Sequence, residues 1–117
     1  MTEPLDRAKV RELLDLTGGD PTWLHELYAT YLDDTRGRLD ALRGALAGGG
    51  AEAIQREAHG IKGASANVGA TEVARLCGDI EHLARQGDVL GARAAAVALD
   101  EVFDRVRADV PRVLGPG

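Results

Sequence analysis

Ala58-His59-Gly60-Ile61-Lys62-Gly63-Ala64-Ser65-Ala66-Asn67-Val68-Gly69-Ala70 is the stretch from which the rest of the chain is read. Together with the residues before it, it sets Ile54, Ala58, Ile61, Ser65 and Val68 in steps of four and three, the repeat of one buried helix face. At about 100° per residue these positions fall within a narrow arc. His59 then lies roughly 140° from the centre of that arc, Lys62 about 80°, Gly63 about 180° and Ala66 about 120°. The spacing therefore predicts a helix over 51–67 that keeps His59 outside the core, on a flank shared with Lys62, Gly63 and Ala66. Gly69 ends it, because glycine readily takes the left-handed conformation of a helix C-terminus.

The same periodicity recurs on both sides. Gly48-Gly49-Gly50 reverses the chain ahead of this helix. It is no phosphate loop, since neither a preceding strand nor a following Gly-Lys-Ser/Thr is present. Asp20-Pro21 opens a long helix over 20–47, with aspartate suited to the N-cap and proline to the first helical position. Leu24, Tyr28, Tyr31, Thr35, Leu39, Leu42 and Leu46 form its inner stripe, and its charged residues read as a solvated face. Trp23 reads as a packing residue, and His25 as an ordinary surface histidine. A short helix over 6–17, N-capped by Asp6, precedes it, behind a frayed lead at residues 1–5.

Thr71 is expected to N-cap a helix over 71–86, with Val73, Leu76, Ile80 and Leu83 as its stripe and Cys77 beside it as a small buried hydrophobe. A final helix, capped by Asp88, is expected over 88–110, ended or kinked by Pro111, with a flexible tail at 111–117. Short loops between long helices imply antiparallel neighbours. The expected fold is all-α: one domain over 1–117, an up-down-up-down four-helix bundle with a short accessory N-terminal helix.

Composition excludes several classes. Hydrophobic residues make up 44% of the chain and aromatics only 3%, so the core must be built of Leu, Val, Ile and Ala, as suits packed helices. The net charge of −5 argues against a nucleic-acid partner. A single cysteine excludes an intrachain disulfide and a Cys-rich zinc site. No apolar run approaches the ~20 residues of a membrane span, and no signal-peptide layout opens the chain. A cytoplasmic location is expected. Arginine far outnumbers lysine, and alanine and glycine abound, as in a GC-rich bacterial genome.

The available chemistry centres on His59. Lys62, three residues on, puts a cation on the same side, and Gly63 leaves the approach open. Glu81, one step off the stripe of the 71–86 helix, can reach the imidazole, fix its tautomer and leave the other ring nitrogen free to attack. From the residues alone, an ordinary surface histidine and a nucleophile both remain open. A carboxylate-bridged metal bundle would need two Glu-x-x-His motifs; only Asp79-x-x-His82 is present, and His82 reads as a surface residue.

The run His59-Gly-Ile-Lys62-Gly63-Ala-Ser65-Ala-Asn67-Val-Gly69-Ala70 resembles the signature of histidine-containing phosphotransfer (HPt) domains, broadly His-x-Leu/Ile-Lys-Gly-x-Ser-x-Asn-x-Gly-Ala. Leu76-Cys77-Gly78-Asp79-Ile80-Glu81 resembles the next helix of that family. The resemblance implies a phosphorelay protein: His59 accepts a phosphoryl group from a receiver-domain phospho-aspartate of a response regulator and passes it to another receiver. Lys62 would balance phosphate charge, Gly63 would give the receiver access, and Glu81 would orient the ring. Ser65 and Asn67 would be mainly structural. The implied partners are receiver domains, with a hybrid histidine kinase as a further candidate. No nucleic acid or membrane is involved, and a monomer is expected. No cofactor is expected on this chain, because Mg²⁺ belongs to the receiver's acidic pocket. The protein would be a stoichiometric intermediate, not an enzyme with its own nucleotide site. Leu13, Leu14, Trp23 and Leu27 are docking candidates. The alternatives are the phosphoacceptor domain of a larger histidine kinase and an adaptor that binds receivers without phosphotransfer.

Overall fold

The computed structural model describes residues 3–115. All regular structure among them is helical: α1 (Arg7–Leu16), α2 (Pro21–Gly48), α3 (Ala51–Val68), α4 (Thr71–Arg85), α5 (Val89–Ala96) and α6 (Leu99–Leu114). The starts of α1, α2 and α5 follow from their capping aspartates. Asp6, Asp20 and Asp88 accept hydrogen bonds from the backbone N–H groups of Ala8, Thr22 and Gly91, donors that a helix start would leave unpaired. Gly49 and Gly69 end α2 and α3 in the left-handed conformation, at φ 74° and 83°.

The two stripes that flank the glycine turn are the buried faces of their helices. Leu24, Tyr28, Tyr31, Thr35, Leu39, Leu42 and Leu46 are buried on α2, and Ile54, Ala58, Ile61, Ser65 and Val68 on α3. Two hydrogen bonds fix how these helices lie. The Tyr28 hydroxyl donates to the Val68 carbonyl at 2.7 Å, and the Tyr31 and Ser65 hydroxyls pair at 2.7 Å. Moving up α2 is thus moving down α3, so the helices are antiparallel in a fixed register. The Tyr31 ring also meets Phe103 of α6 at 6.3 Å between centroids. Ser65 has the structural role read from its position. Asn67 lies in the last turn of α3 and is exposed.

Four expectations need correction. Thr71 is the first residue of α4, not its cap. Ala70 is the cap, because its N–H already bonds the Ser65 carbonyl and the chain enters α4 directly from the end of α3. The helix expected over 88–110 is two helices. At Val97 an N–H bonds the Ala94 carbonyl, a tightened turn that separates α5 from α6. This lets α5 pack on α4 while α6 packs on both α2 and α4. Pro111 neither ends nor visibly breaks α6. Val110, Val113 and Leu114 pack against the core and carry the helix through it, so 111–114 is no flexible tail. Residues 116–117 of that predicted tail lie outside the described residues.

The fourth correction is the N-terminal lead. Residues 1–2 lie outside the described residues, but Leu5 is fully buried. Its N–H donates to Asp109 of α6 at 3.1 Å, and the Asp6 N–H donates to the Gly69 carbonyl at 2.9 Å. Arg7 grips the same Asp109 with two guanidinium nitrogens, at 2.5 and 3.1 Å. A buried carboxylate is tolerated here because its oxygens meet a cation and a backbone N–H.

The Arg7 guanidinium holds the Asp109 carboxyl below its ordinary range; burial opposes this and the Leu5 amide assists it. With the folded value below the unfolded one of about 3.9, the stabilisation is complete above about pH 4. It is lost as the pH falls through the folded value. Asp109→Asn should therefore cost about 1–3 kcal/mol at pH 7. That gap should close in acid. Urea unfolding of both proteins at pH 7 and about pH 2 checks this, and a gap of equal size at both would contradict it.

Candidate functional site

His59 stands on the outer side of α3 with 68% of its side chain exposed. Its Nδ1 lies 3.0 Å from Oε2 of Glu81, which reaches across from α4. Glu81 is itself 6% exposed. Lys62 Nζ donates to Glu81 Oε1 at 2.7 Å, and Arg85 Nη2 donates to Oε2 at 3.0 Å. The short Gly69-Ala70 connection holds α3 and α4 close along their length, which brings the flank of one helix against the flank of the other. Gly78 assists, because the Lys62 stem passes over it: a Cβ there would sit 3.5 Å from Lys62 Cδ.

The carboxylate sets the electrostatics. The hydrogen bond from Lys62 holds the Glu81 carboxyl below the ordinary carboxylate range; burial pulls the other way, and His59 adds to the lowering. An ionised carboxylate only accepts hydrogen bonds, so Nδ1 of His59 must carry the proton it donates. In a neutral ring the lone pair is then on Nε2, directed away from Glu81. The arrangement can present one nucleophilic nitrogen in a fixed orientation, with the cations Lys62 and Arg85 alongside.

The structure brings His59, Lys62 and Glu81 together and leaves Gly63 on the open side. A Cβ at Gly63 would meet no heavy atom within 4 Å, and Ala66 beyond it is exposed. Arg85 was missed at the sequence level, although its place four residues after Glu81 is the spacing at which helix side chains meet. Of the docking candidates, Leu13 is buried in the core, Leu14 and Leu27 are half-buried, and Trp23 is 41% exposed, a surface residue and not the packing residue expected. His82 is exposed and His25 half-buried. Burial pushes the Cys77 thiol up to about 12, which makes it inert. Among the described residues no group of three or more His, Cys, Asp or Glu side chains is placed to share a metal ion. None of their helices is long and apolar enough to cross a membrane.

Comparison with known proteins gives two matches. The family model described as Hpt domain matches residues 26–109. Among solved structures, the chain is similar to histidine-containing phosphotransfer protein B (HptB) from Pseudomonas aeruginosa PAO1. The two are 30% identical with a TM-score of 0.86, over 97% of this chain and 96% of that one. No curated protein matches.

Proposed function

The chain belongs to the Hpt domain family, and from that premise we propose that it carries phosphoryl groups in a two-component phosphorelay, with His59 as the acceptor. The single observation that carries this reading is the Glu81 carboxylate on Nδ1, with Lys62 on the same carboxylate. The Nε2 lone pair attacks the phosphorus of a receiver's aspartyl phosphate. An N–P bond forms as the P–O bond to the aspartate breaks, and the electron pair leaves on the aspartate carboxylate. The proton stays on Nδ1, where Glu81 balances the positive charge gained by the ring. Lys62 and Arg85, held on Glu81 in the free chain, would turn to the phosphoryl oxygens as the group arrives. Transfer of this kind is mostly positioning and charge stabilisation, which a helix surface can supply. The reverse reaction delivers the group to another receiver.

In this reading Mg²⁺ sits in the partner's acidic pocket, and the protein is a stoichiometric carrier, monomeric and cytoplasmic. We read α2, α3, α4 and the α5–α6 pair as an up-down-up-down bundle, with α1 as the accessory helix. The antiparallel register of α2 and α3 and the short loops support this. Incubation with a panel of phosphorylated receiver domains tests the function: acid-labile label should appear on this chain. Binding to receivers without label from any of them would make it an adaptor.

Gly63 gives an independent prediction. Nothing lies near it in the free chain, so Gly63→Ala should hold or raise stability, by up to about 1 kcal/mol from helix propensity. The added methyl stands where a docked receiver must approach, so transfer should slow about tenfold. Thermal unfolding and transfer rates on the same variant separate the two effects, and an unchanged rate would remove Gly63 from the docking face.

A further inference from the structure

Arg38 is an exposed residue of α2, and Asp34 precedes it by four residues, the spacing at which surface ion pairs ordinarily form on a helix. The pair is not made. Arg38 has no ion-pair partner among the described residues. Its Nη1 instead crosses the seam between α2 and α3 and occupies the space that a Cβ at Gly60 would take. Gly60 follows His59 directly. In the HPt signature this position can be any residue, so the signature does not call for the Arg38–Gly60 contact.

The register explains the reach. Tyr31 is level with Ser65, and seven residues further up α2 the antiparallel path down α3 arrives at the level of Ala58 and His59. Gly60 is about 100° round the helix from His59, on the flank opposite the Lys62 and Glu81 side. Arg38 also lines the cleft of about 210 Å³ between α2 and α3 whose walls include Leu27, Ala64 and Val68. Arg56, three residues before His59, is exposed and only loosely paired with Glu57 at 3.7 Å. Arg38 and Arg56 thus add basic groups on the α3 flank away from Glu81, in a chain whose net charge is −5. A local positive field on an acidic protein steers an acidic partner to that spot.

We propose that Arg38, resting on Gly60, is a specificity-determining residue that engages a carboxylate on the acidic rim of the docked phosphodonor domain. This rests on the reading of His59 as the phosphoacceptor. A carboxylate of the partner is favoured over the phosphoryl group itself. Arg38 makes no bond to His59, its tip lies to one side of the ring's attachment point, and Lys62 and Arg85 already flank the ring through Glu81. The planar guanidinium is suited to a bidentate hold on a carboxylate.

The test is single-turnover transfer from a phosphorylated receiver domain, at increasing receiver concentration, to wild type, Arg38→Ala and Arg38→Glu. Arg38→Ala should raise the half-saturating concentration about threefold to tenfold. The maximal rate should stay within about twofold of wild type. Arg38→Glu should weaken docking further, and the difference from wild type should shrink as salt is added. Unfolding curves should be unchanged, since the side chain is exposed. An unchanged half-saturation in a protein that still takes label would overturn the proposal for Arg38 alone. A fall in maximal rate at unchanged half-saturation would also overturn it, by placing the guanidinium on the phosphoryl group. Absence of label on wild type would overturn both this proposal and the phosphoacceptor reading beneath it.

Discussion

His59→Gln should take no label from any phosphorylated receiver, while its unfolding free energy stays within about 0.5 kcal/mol of wild type. The loss is chemical, not structural. Most of the His59 side chain is exposed, and its one polar contact among the described residues is to Glu81. Glutamine keeps an amide N–H able to donate to that carboxylate, but its nitrogen lone pair is delocalised and does not attack phosphorus. Labelling and circular dichroism melting on the same preparation check both halves. Label of equal intensity on the variant would move the acceptor elsewhere.

Lys62→Ala should give the second largest effect, a slowing of transfer by about 10- to 100-fold at saturating receiver, or roughly 1.4–2.7 kcal/mol of barrier. The ammonium lies on Glu81 at 2.7 Å in the free chain, on the same carboxylate that meets His59. Its removal also releases the main influence holding the Glu81 carboxyl low, so the carboxylate protonates at a higher pH than before. The low-pH limb of the transfer rate should move upward in the variant. Stability should change by at most about 1 kcal/mol, because the lysine is 39% exposed and water screens the pair. A saturating rate equal to that of wild type would show that Lys62 holds Glu81 and does nothing for the transferred group.

Much of the site could be read from residue order because it lies on one helix with a regular pitch. Counting round α3 is enough to put His59 outside the core and Lys62 on the same flank. Glu81 required one further inference, that the helices on either side of Gly69-Ala70 are neighbours, and the short connection supplies it. Arg85 followed from the same helix spacing but carried no separate signal among the many arginines. Arg38 could not be anticipated. Its guanidinium turns away from the local partner Asp34 toward a glycine on another helix, a choice made by the packing of α2 on α3.

The misread parts of the fold have the same origin. Leu5 lies outside any periodic segment, and its burial depends on Asp109, 104 residues away. The division between α5 and α6 falls in Ala95-Ala96-Val97-Ala98, which contains no glycine, proline or capping side chain. It is imposed by where α4 and α2 stand. Pro111 reads as a terminator, yet it sits in the last turn of α6, where Val113 and Leu114 still gain burial.

The central claim is that Glu81 holds the proton of His59 on Nδ1 and leaves Nε2 as the nucleophile. The most direct measurement is ¹⁵N and ³¹P NMR of the protein labelled at histidine, before and after phosphorylation by a receiver. The expected result is one Nδ1–H tautomer for His59 in the free protein and an N–P coupling at Nε2 afterwards. Phosphate on Nδ1, or on His25 or His82, would contradict the account.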